Sequence, residues 1–210
     1  MPRPTHALDR HIALAGFMGA GKTTLGSDLA LALGRNFVDV DAEVEREAGI
    51  SIAEIFAAHG ESKFRLLEER RIRELLETSE PAVIALGGGA HGAEATRRAL
   101  EESAFTILLE VDVGKAWRRV SGASKRPLAS DEASFRKLYA ERLPVYRDYA
   151  DAVCTSVESA ILAAGGVEVA PGALARLGEL APEEGRIALI VDENVRRLYG
   201  AAAEKALGDR

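Results

Sequence analysis

The chain has 210 residues, of which 47% are apolar and 29% charged, and its formal net charge is −6. This composition predicts a folded chain with one buried domain plus a smaller remnant, and the acidic balance argues against a nucleic-acid partner, which would need a basic face. A single cysteine, Cys154, and the lack of any apolar run near the ~20 residues that span a bilayer predict a cytoplasmic protein with no membrane partner.

The first predicted elements are a strand, a glycine-rich loop and a helix. Ile12–Ala15 is a short apolar run, and leucines recur at helical spacing from Lys22 until Gly34. Between them, residues 16–23 read GFMGAGKT and match G-x-x-x-x-G-K-[ST], the phosphate-binding loop that joins a strand to a helix. Its backbone N–H groups and the helix N-terminus predict that a nucleoside triphosphate binds here. The expected contacts are Gly19, Ala20, Gly21, Lys22, Thr23 and Thr24.

This loop alone does not decide what happens to the γ-phosphate of the nucleotide. GTPases, ATPases, kinases and nucleotide-gated regulators share the loop, and a chance glycine turn is the structural alternative. Residues that would bind the molecule receiving the phosphoryl group, here called the acceptor side, must therefore distinguish these classes.

Two aspartates are predicted at the end of the next strand, Asn36–Val40. Asp39 and Asp41 stand two residues apart, so both carboxylates would point to one side, at the edge of the sheet where ligands bind. One would support Mg²⁺ together with Thr23, and the other would orient or deprotonate an acceptor hydroxyl. The alternative is that both are ordinary polar residues at a strand end.

Two helical stretches follow, the first opened by a capping box of Ser51 and Glu54 and the second covering residues 62–76. In the second, Arg65 and Glu68 lie one turn apart and can meet on one face. A guanidinium can hold a carboxylate through two hydrogen bonds, which makes Arg65 a candidate for binding an acidic substrate. A surface ion pair is the alternative interpretation.

A third strand, Ala82–Leu86, ends in Gly87, Gly88 and Gly89. Three glycines in this position let the backbone approach a ligand closely, although a plain turn would also use them. We therefore expect this glycine loop to line a binding pocket.

An irregular segment, Ser121–Glu132, is predicted to be a mobile lid. Within it, Lys125 and Arg126 would stabilise the transferring phosphoryl group or form a solvated charge cluster. Arg142, on a helix predicted over Ser134–Tyr146, is a candidate anion clamp or a surface cation.

The alternation of strands and helices indicates the fold class. Further strands at 105–111 and 152–155 complete a mainly parallel, doubly wound α/β sheet. The glycine pair at 165–166 predicts a boundary between a first domain, 1–165, and a second segment, 166–210.

Taken in order, these motifs resemble the shikimate kinase family over about Ile12–Ala163. The resemblance is carried by the phosphate loop, Asp39-x-Asp41, Phe64-Arg65-x-x-Glu68, Gly87-Gly88-Gly89, Arg126-Pro127 and Arg142-x-Pro144-x-Tyr146. It implies a three-layer α/β/α fold like that of nucleoside-monophosphate kinases, with a mainly parallel five-stranded sheet and a lid. It also implies transfer of a phosphoryl group from MgATP to the 3-hydroxyl of shikimate.

The resemblance assigns a role to each matching residue. Asp41 would bind the hydroxyls of shikimate and act as base or orienter, Arg65 and Arg142 would hold its carboxylate, and Gly87–Gly89 would line the pocket. Lys22 and Arg126 would neutralise the γ-phosphate, Thr23 and Asp39 would serve Mg²⁺, and Arg119 would stack on adenine. The implied catalytic group is Asp41, Lys22 and Arg126.

The tail resembles a different family. Residues 171–174 (PGAL), 188–195 (ALIVDENV) and Tyr199-Gly200 resemble the beginning of 3-dehydroquinate synthase, an NAD-dependent enzyme. This likeness implies a truncated fusion in which synthase activity is not expected, and an ordinary C-terminal extension is the alternative. The tail is predicted to contain helices at 173–180 and 195–207 and a strand at 187–191, whose unpaired edge would favour association.

Two other functions stay open on the sequence alone. One is a related small-molecule kinase acting on gluconate or a nucleoside monophosphate, and the other is a regulator that binds ATP without transferring phosphate. The expected partners are shikimate and ATP, and the kinase domain is expected to be monomeric.

Overall fold

The computed structural model describes residues 10–121, 131–165, 174 and 193–208. The chain divides into two compact units, Met1–Val167 and Glu168–Arg210. Most of the predicted lid, including Lys125 and Arg126, lies outside the described residues, as do the predicted strand 187–191 and, apart from residue 174, the predicted helix 173–180.

The first unit is built on a sheet of five parallel strands. In chain order these are β1 (His11–Ala15), β2 (Phe37–Asp39), β3 (Val83–Ala85), β4 (Ala104–Leu109) and β5 (Ala152–Cys154). Their order across the sheet is β2-β3-β1-β4-β5, and Ile12 of β1 pairs with Val83 on one side and Phe105 on the other. The prediction of a parallel five-stranded sheet is confirmed. The connection after β1 leads to β2 on one side, whereas the connection after the neighbouring β4 leads to β5 on the other side. A crevice at such a point is where open α/β sheets bind ligands.

Helices cover both faces of this sheet. They are α1 (Lys22–Leu33), α2 (Val40–Ala48), α3 (Ile52–Leu76), α4 (Glu94–Ser103), α5 (Val113–Val120), α6 (Glu132–Tyr149) and α7 (Val157–Ala164). Because side chains alternate along a strand, Ile12 and Leu14 pack in a core with residues of α1 and α7, whereas Ala13 packs in a core with residues of α2, α3 and α4. The result is the predicted three-layer arrangement.

The helix boundaries follow local sequence signals. Gly34 ends α1 in the left-handed conformation, and the side chains of Ser51 and Glu54 form the predicted capping box at the start of α3. Gly60, with φ 77° and ψ 170°, interrupts α3, so the two predicted helical stretches are two parts of one kinked element.

The carboxyl-terminal boundary predicted for the strand Asn36–Val40 is wrong. β2 ends at Asp39 and α2 begins at Val40, because the Asp39 carboxylate accepts hydrogen bonds from the backbone N–H groups of Asp41 and Ala42 and so caps the helix. Asp41 therefore lies in the first turn of α2, and the strand-alternation argument for the direction of its side chain does not apply.

The second unit contains α8 (Glu193–Leu207), which confirms the helix predicted at 195–207. Leu198 and Tyr199 are exposed on it. None of the helices in the described part of the chain combines the length and the apolar character needed to cross a bilayer.

Candidate active site

The phosphate-binding loop lies between the carboxyl end of β1 and the start of α1. Gly16, Gly19 and Gly21 all have positive φ angles, and a Cβ atom on Gly19 would lie 2.6 Å from the carbonyl oxygen of Ala116. No side chain caps the N-terminus of α1 among the described residues. The first N–H groups of α1 can therefore serve an anion, as the sequence motif requires.

Lys22 is held at the mouth of this loop. Its ammonium donates to the carbonyl oxygen of Gly16 at 2.7 Å and to that of Phe17 at 3.3 Å. The loop thus positions the cation beside the backbone groups that would surround a phosphate. Thr24, the last predicted contact of the loop, is exposed on the first turn of α1.

Thr23 and Asp39 bring two oxygen ligands together. The Thr23 hydroxyl donates to Oδ2 of Asp39 at 2.7 Å, while Oδ1 of Asp39 caps α2. Hydroxyl and carboxylate oxygens are the donors that Mg²⁺ prefers, so this pair fits a magnesium ion bound directly or through water. The same carboxylate joins the helix of the phosphate loop to the helix that carries Asp41.

A cavity of about 270 Å³ adjoins the phosphate loop. Five predicted acceptor-side residues line it, namely Asp41, Arg65, Gly88, Gly89 and Arg142. Met18 of the phosphate loop belongs to its wall, and Ile52, Phe56 and Phe64 add apolar surface. The cavity therefore combines two guanidinium groups and the carboxylates of Asp41, Glu45 and Glu68 with apolar walls, which suits a small ring that carries an acid group and hydroxyls.

Arg65 is fixed by two carboxylates of its own helix. Its guanidinium donates to Glu68 at 2.6 Å and to Glu61 at 2.9 Å, and its central carbon lies 5.0 Å from the Phe64 ring centroid. The ion pair with Glu68 is not a surface pair, because only 1% of Glu68 is exposed. Burial raises the pKa of the Glu68 carboxyl, although the charge of Arg65 opposes this shift.

Glu68 is a site residue that the sequence-based list of ligand-binding residues missed. It falls one turn after the buried Phe64 and one turn before the buried Ile72, so it occupies the core-facing stripe of α3. An acidic residue in that stripe was the available signal, since buried acids need a partner.

Side chains press closely against two of the three glycines, Gly87 and Gly89. A Cβ atom on Gly87 would lie 2.8 Å from Oδ1 of Asp41, and one on Gly89 would lie 2.5 Å from the central guanidinium carbon of Arg65. Gly88 and Gly89 line the cavity, whereas Gly87 packs against Asp41 and Glu68. Close approach therefore accounts for glycine at positions 87 and 89, and residues 88–89 also form a turn in which the N–H of Ala90 donates to the Gly87 carbonyl.

Arg142 and Tyr146 converge on one backbone atom. Nη1 of Arg142 donates to the carbonyl oxygen of Gly88 at 2.8 Å, and the Tyr146 hydroxyl donates to the same oxygen. Burial raises the pKa of this phenol, which keeps the hydroxyl protonated as a donor. Tyr146 belongs to a motif that carries the family resemblance, but the sequence did not predict it as a site residue.

Arg119 contacts the phosphate-binding loop. From α5 its guanidinium donates to the carbonyl oxygens of Gly19 at 2.9 Å and Ala20 at 3.0 Å. Arg126, the other predicted cation, is outside the described residues.

Comparison with known proteins agrees with this geometry. A family model for shikimate kinase matches residues 18–168. The shikimate kinase of Ruegeria pomeroyi is 42% identical over 158 residues, which are 74% of this chain and 80% of that protein. The shikimate kinase of Nitrobacter winogradskyi is 48% identical over 141 residues, 66% of this chain and 65% of that protein. The chain belongs to the shikimate kinase family.

A solved structure of a shikimate kinase supports the same assignment at the level of the fold. The enzyme from Acinetobacter baumannii, in complex with shikimate, superposes with a TM-score of 0.71 at 33% identity. The match covers 76% of this chain and 96% of that one. The fold that carries the phosphate loop and the glycine loop is therefore the fold of a shikimate kinase.

Arg65→Lys is expected to raise the KM for a carboxylate acceptor about 10-fold and to leave kcat and the KM for ATP nearly unchanged, because a point charge replaces a two-pronged donor. Steady-state kinetics with each substrate varied in turn measure this. Arg73→Lys, which changes an exposed arginine on the same helix, is the matched control and should behave as the wild type. A rise in the KM for ATP instead would contradict the assignment of Arg65 to the acceptor.

His91 is a buried residue beside the site to which the sequence analysis assigned no function. It is 2% exposed, and burial, with smaller effects from Lys22 and Arg97, lowers its pKa from 6.5 to about 4. The folded state thus keeps the ring neutral at pH values where the unfolded chain binds a proton.

The free energy of unfolding should therefore fall as the pH drops from 6.5 to 4, and His91 should contribute about 3 kcal/mol of that loss. Above pH 6.5 its contribution is fully present. Urea titrations at several pH values measure the effect, and His91→Phe should flatten the profile relative to the wild type, whereas His59→Gln, at an exposed position, should not. Parallel profiles for wild type and His91→Phe would contradict this assignment.

Proposed function

We propose that this chain transfers the γ-phosphoryl group of ATP to the 3-hydroxyl of shikimate. The observation that carries the proposal is the cavity in which Arg65 and Arg142 accompany Asp41 directly beside the phosphate loop. A Cβ atom on Gly88 would lie 3.7 Å from both Nη1 of Arg142 and the backbone nitrogen of Met18. An acceptor held by its carboxylate in this cavity is thus next to the place where a triphosphate ends.

Three residues have direct roles in binding and activating the acceptor. Arg65 and Arg142 hold the carboxylate of shikimate, and the distance of this acid group from the reacting hydroxyl sets the orientation of the ring. Asp41 accepts a hydrogen bond from the hydroxyl and takes its proton, or orients it, as the phosphoryl group arrives. Glu68 keeps Arg65 in place.

The residues around the nucleotide neutralise the negative charge of its phosphates. Lys22 exchanges the loop carbonyls for the β- and γ-phosphates, and the resemblance assigns Arg126 to neutralising the γ-phosphate. Gly19, Ala20, Gly21 and Thr24 complete the phosphate contacts. Arg119, anchored to the loop carbonyls, stacks on adenine.

Magnesium is the proposed cofactor. Thr23 and Asp39 would hold it directly or through water, where it would neutralise charge on the β- and γ-phosphates. Asp39 can do so with one oxygen while the other continues to cap α2.

One coupled assay tests the activity. ADP release is measured with MgATP and, in separate reactions, shikimate, gluconate, AMP or no acceptor. The proposal requires turnover that depends on shikimate, because an acid group on a compact ring satisfies both arginines. ATP binding without acceptor-stimulated turnover would identify a regulator, and turnover with gluconate or AMP would assign the chain to a related kinase.

For the second unit we propose a segment similar to the start of 3-dehydroquinate synthase that takes no part in phosphoryl transfer. A variant ending at residue 165 should keep the KM values and kcat of the full chain, and neither protein should have synthase activity. Light scattering of both variants tests the accompanying proposals, a monomeric kinase domain and association through the second unit. Loss of kinase activity on truncation would refute the separation into independent units.

A further inference from the structure

His91 occupies the turn that follows the glycine loop. This 3-10 turn, Ala90–Gly92, holds the loop through backbone hydrogen bonds from Ala90 to the carbonyl of Gly87 at 3.1 Å and from Gly92 to that of Gly89 at 2.9 Å. The carbonyl of His91 accepts a hydrogen bond from Arg97 at 2.7 Å. The backbone of His91 is thus fixed on both sides, and its side chain is buried.

The imidazole ring packs against the tyrosine that supports the acceptor site. The ring centroids of His91 and Tyr146 are 5.9 Å apart and the rings meet edge to face at 79°. The Tyr146 hydroxyl donates to the Gly88 carbonyl, the oxygen that also accepts from Arg142. A contiguous path of three contacts therefore leads from His91 to the guanidinium that binds the acceptor.

The two nitrogens of the ring contribute no hydrogen bond to another residue in the described part of the chain. Two cavities, of about 470 Å³ and about 120 Å³, border His91, but both ring nitrogens are themselves buried. What the ring supplies to neighbouring residues is accordingly its shape and its edge-to-face contact, which is a favourable geometry for aromatic pairs.

We propose that His91 is a positioning residue for acceptor binding: its ring holds Tyr146 in the orientation in which Tyr146 and Arg142 together fix the Gly88 carbonyl. This inference rests on the proposed function. Without the ring, Tyr146 gains room to rotate into the space left by His91, the Gly88 carbonyl loses one donor, and Arg142 loses its register relative to Arg65. The hydrogen bonds on this path end at the Gly88 carbonyl and Arg142, so we expect the larger effect on acceptor binding.

The test combines three substitutions in the full chain. His91→Ala should raise the KM for shikimate about 10-fold and change the KM for ATP less than about twofold, since displacement of a positioning group weakens only the substrate that it positions. His91→Phe should return the KM for shikimate to within about threefold of the wild type, because a phenyl ring restores the contact with Tyr146. His91→Asn, which offers hydrogen bonds but no ring, should not.

A double-mutant cycle with Tyr146→Phe identifies the path. If His91 acts through Tyr146, the double variant His91→Ala/Tyr146→Phe should be no worse than the poorer single variant, whereas independent residues give multiplied effects. Multiplied effects, equal rises in both KM values, or an unchanged KM for shikimate in His91→Ala would each overturn the proposal. If His91→Ala does not fold, the ring-preserving His91→Phe and the Asn variant still decide between packing and hydrogen bonding.

The same assay distinguishes a failure of the proposed function from a failure of the positioning role of His91. A wild-type chain without shikimate-dependent turnover refutes the proposed function. An active wild type whose His91 variants keep its KM for shikimate refutes the positioning role alone.

Discussion

Replacing Asp41 by asparagine is expected to lower kcat for shikimate phosphorylation by about 10²–10⁴-fold. This is the range that a positioned acid or base contributes to a rate. The KM for ATP should change little. The asparagine side chain would keep the shape of the aspartate and could still contact the acceptor hydroxyl, but an amide cannot take its proton. The substitution therefore separates chemistry from binding.

The measurement is steady-state turnover with both substrates varied, together with calorimetric titration of ATP. Asp28→Asn is the matched control, because Asp28 is exposed on α1 and should tolerate the change without loss. Wild-type turnover in Asp41→Asn would eliminate the proposed role in proton transfer or orientation.

Replacing Lys22 by methionine should lower kcat by about 10³-fold, since a cation aligned with a transferring phosphoryl group stabilises charge that develops in the transition state. Methionine keeps the unbranched shape of the side chain and removes the ammonium that now bonds to Gly16 and Phe17. Loss of these two bonds would also loosen the loop, so the KM for ATP should rise as well.

Lys137→Met controls for the loss of one positive charge, because the side chain of Lys137 is 81% exposed on α6. Thermal melting of Lys22→Met checks that the unit still folds. A Lys22→Met enzyme with wild-type kcat at saturating MgATP would contradict the assignment of Lys22 to the phosphates.

Local patterns were sufficient for the features that a short segment determines by itself. The phosphate loop depends on a few consecutive residues between β1 and α1, and the ion pair of Arg65 and Glu68 depends on one turn of α3. Both could be predicted because their geometry is set by sequence spacing. The helical stretches and the parallel sheet were predictable for the same reason, from periodicity and glycine boundaries.

Features that depend on distant contacts were missed or placed incorrectly. The Gly88 carbonyl meets Arg142 and Tyr146 across 54 and 58 residues of sequence, and no periodic pattern encodes such a meeting. Asp41 was placed at the end of a strand because the capping role of Asp39 was not anticipated. His91 gave no signal, since an isolated histidine in a sequence does not reveal its burial.

Arg142 and Tyr146 both donate to the Gly88 carbonyl, and this shared contact limits how the acceptor specificity of the enzyme can be changed. Arg142, which we propose binds the acid group, is anchored to main chain, so exchanging side chains inside the cavity leaves its anchor untouched. A new acceptor of different length would demand that the glycine loop and α6 be rebuilt together. Arg119, the residue proposed to contact adenine, is anchored to the carbonyls of Gly19 and Ala20 instead, so the two proposed specificities depend on different stretches of main chain.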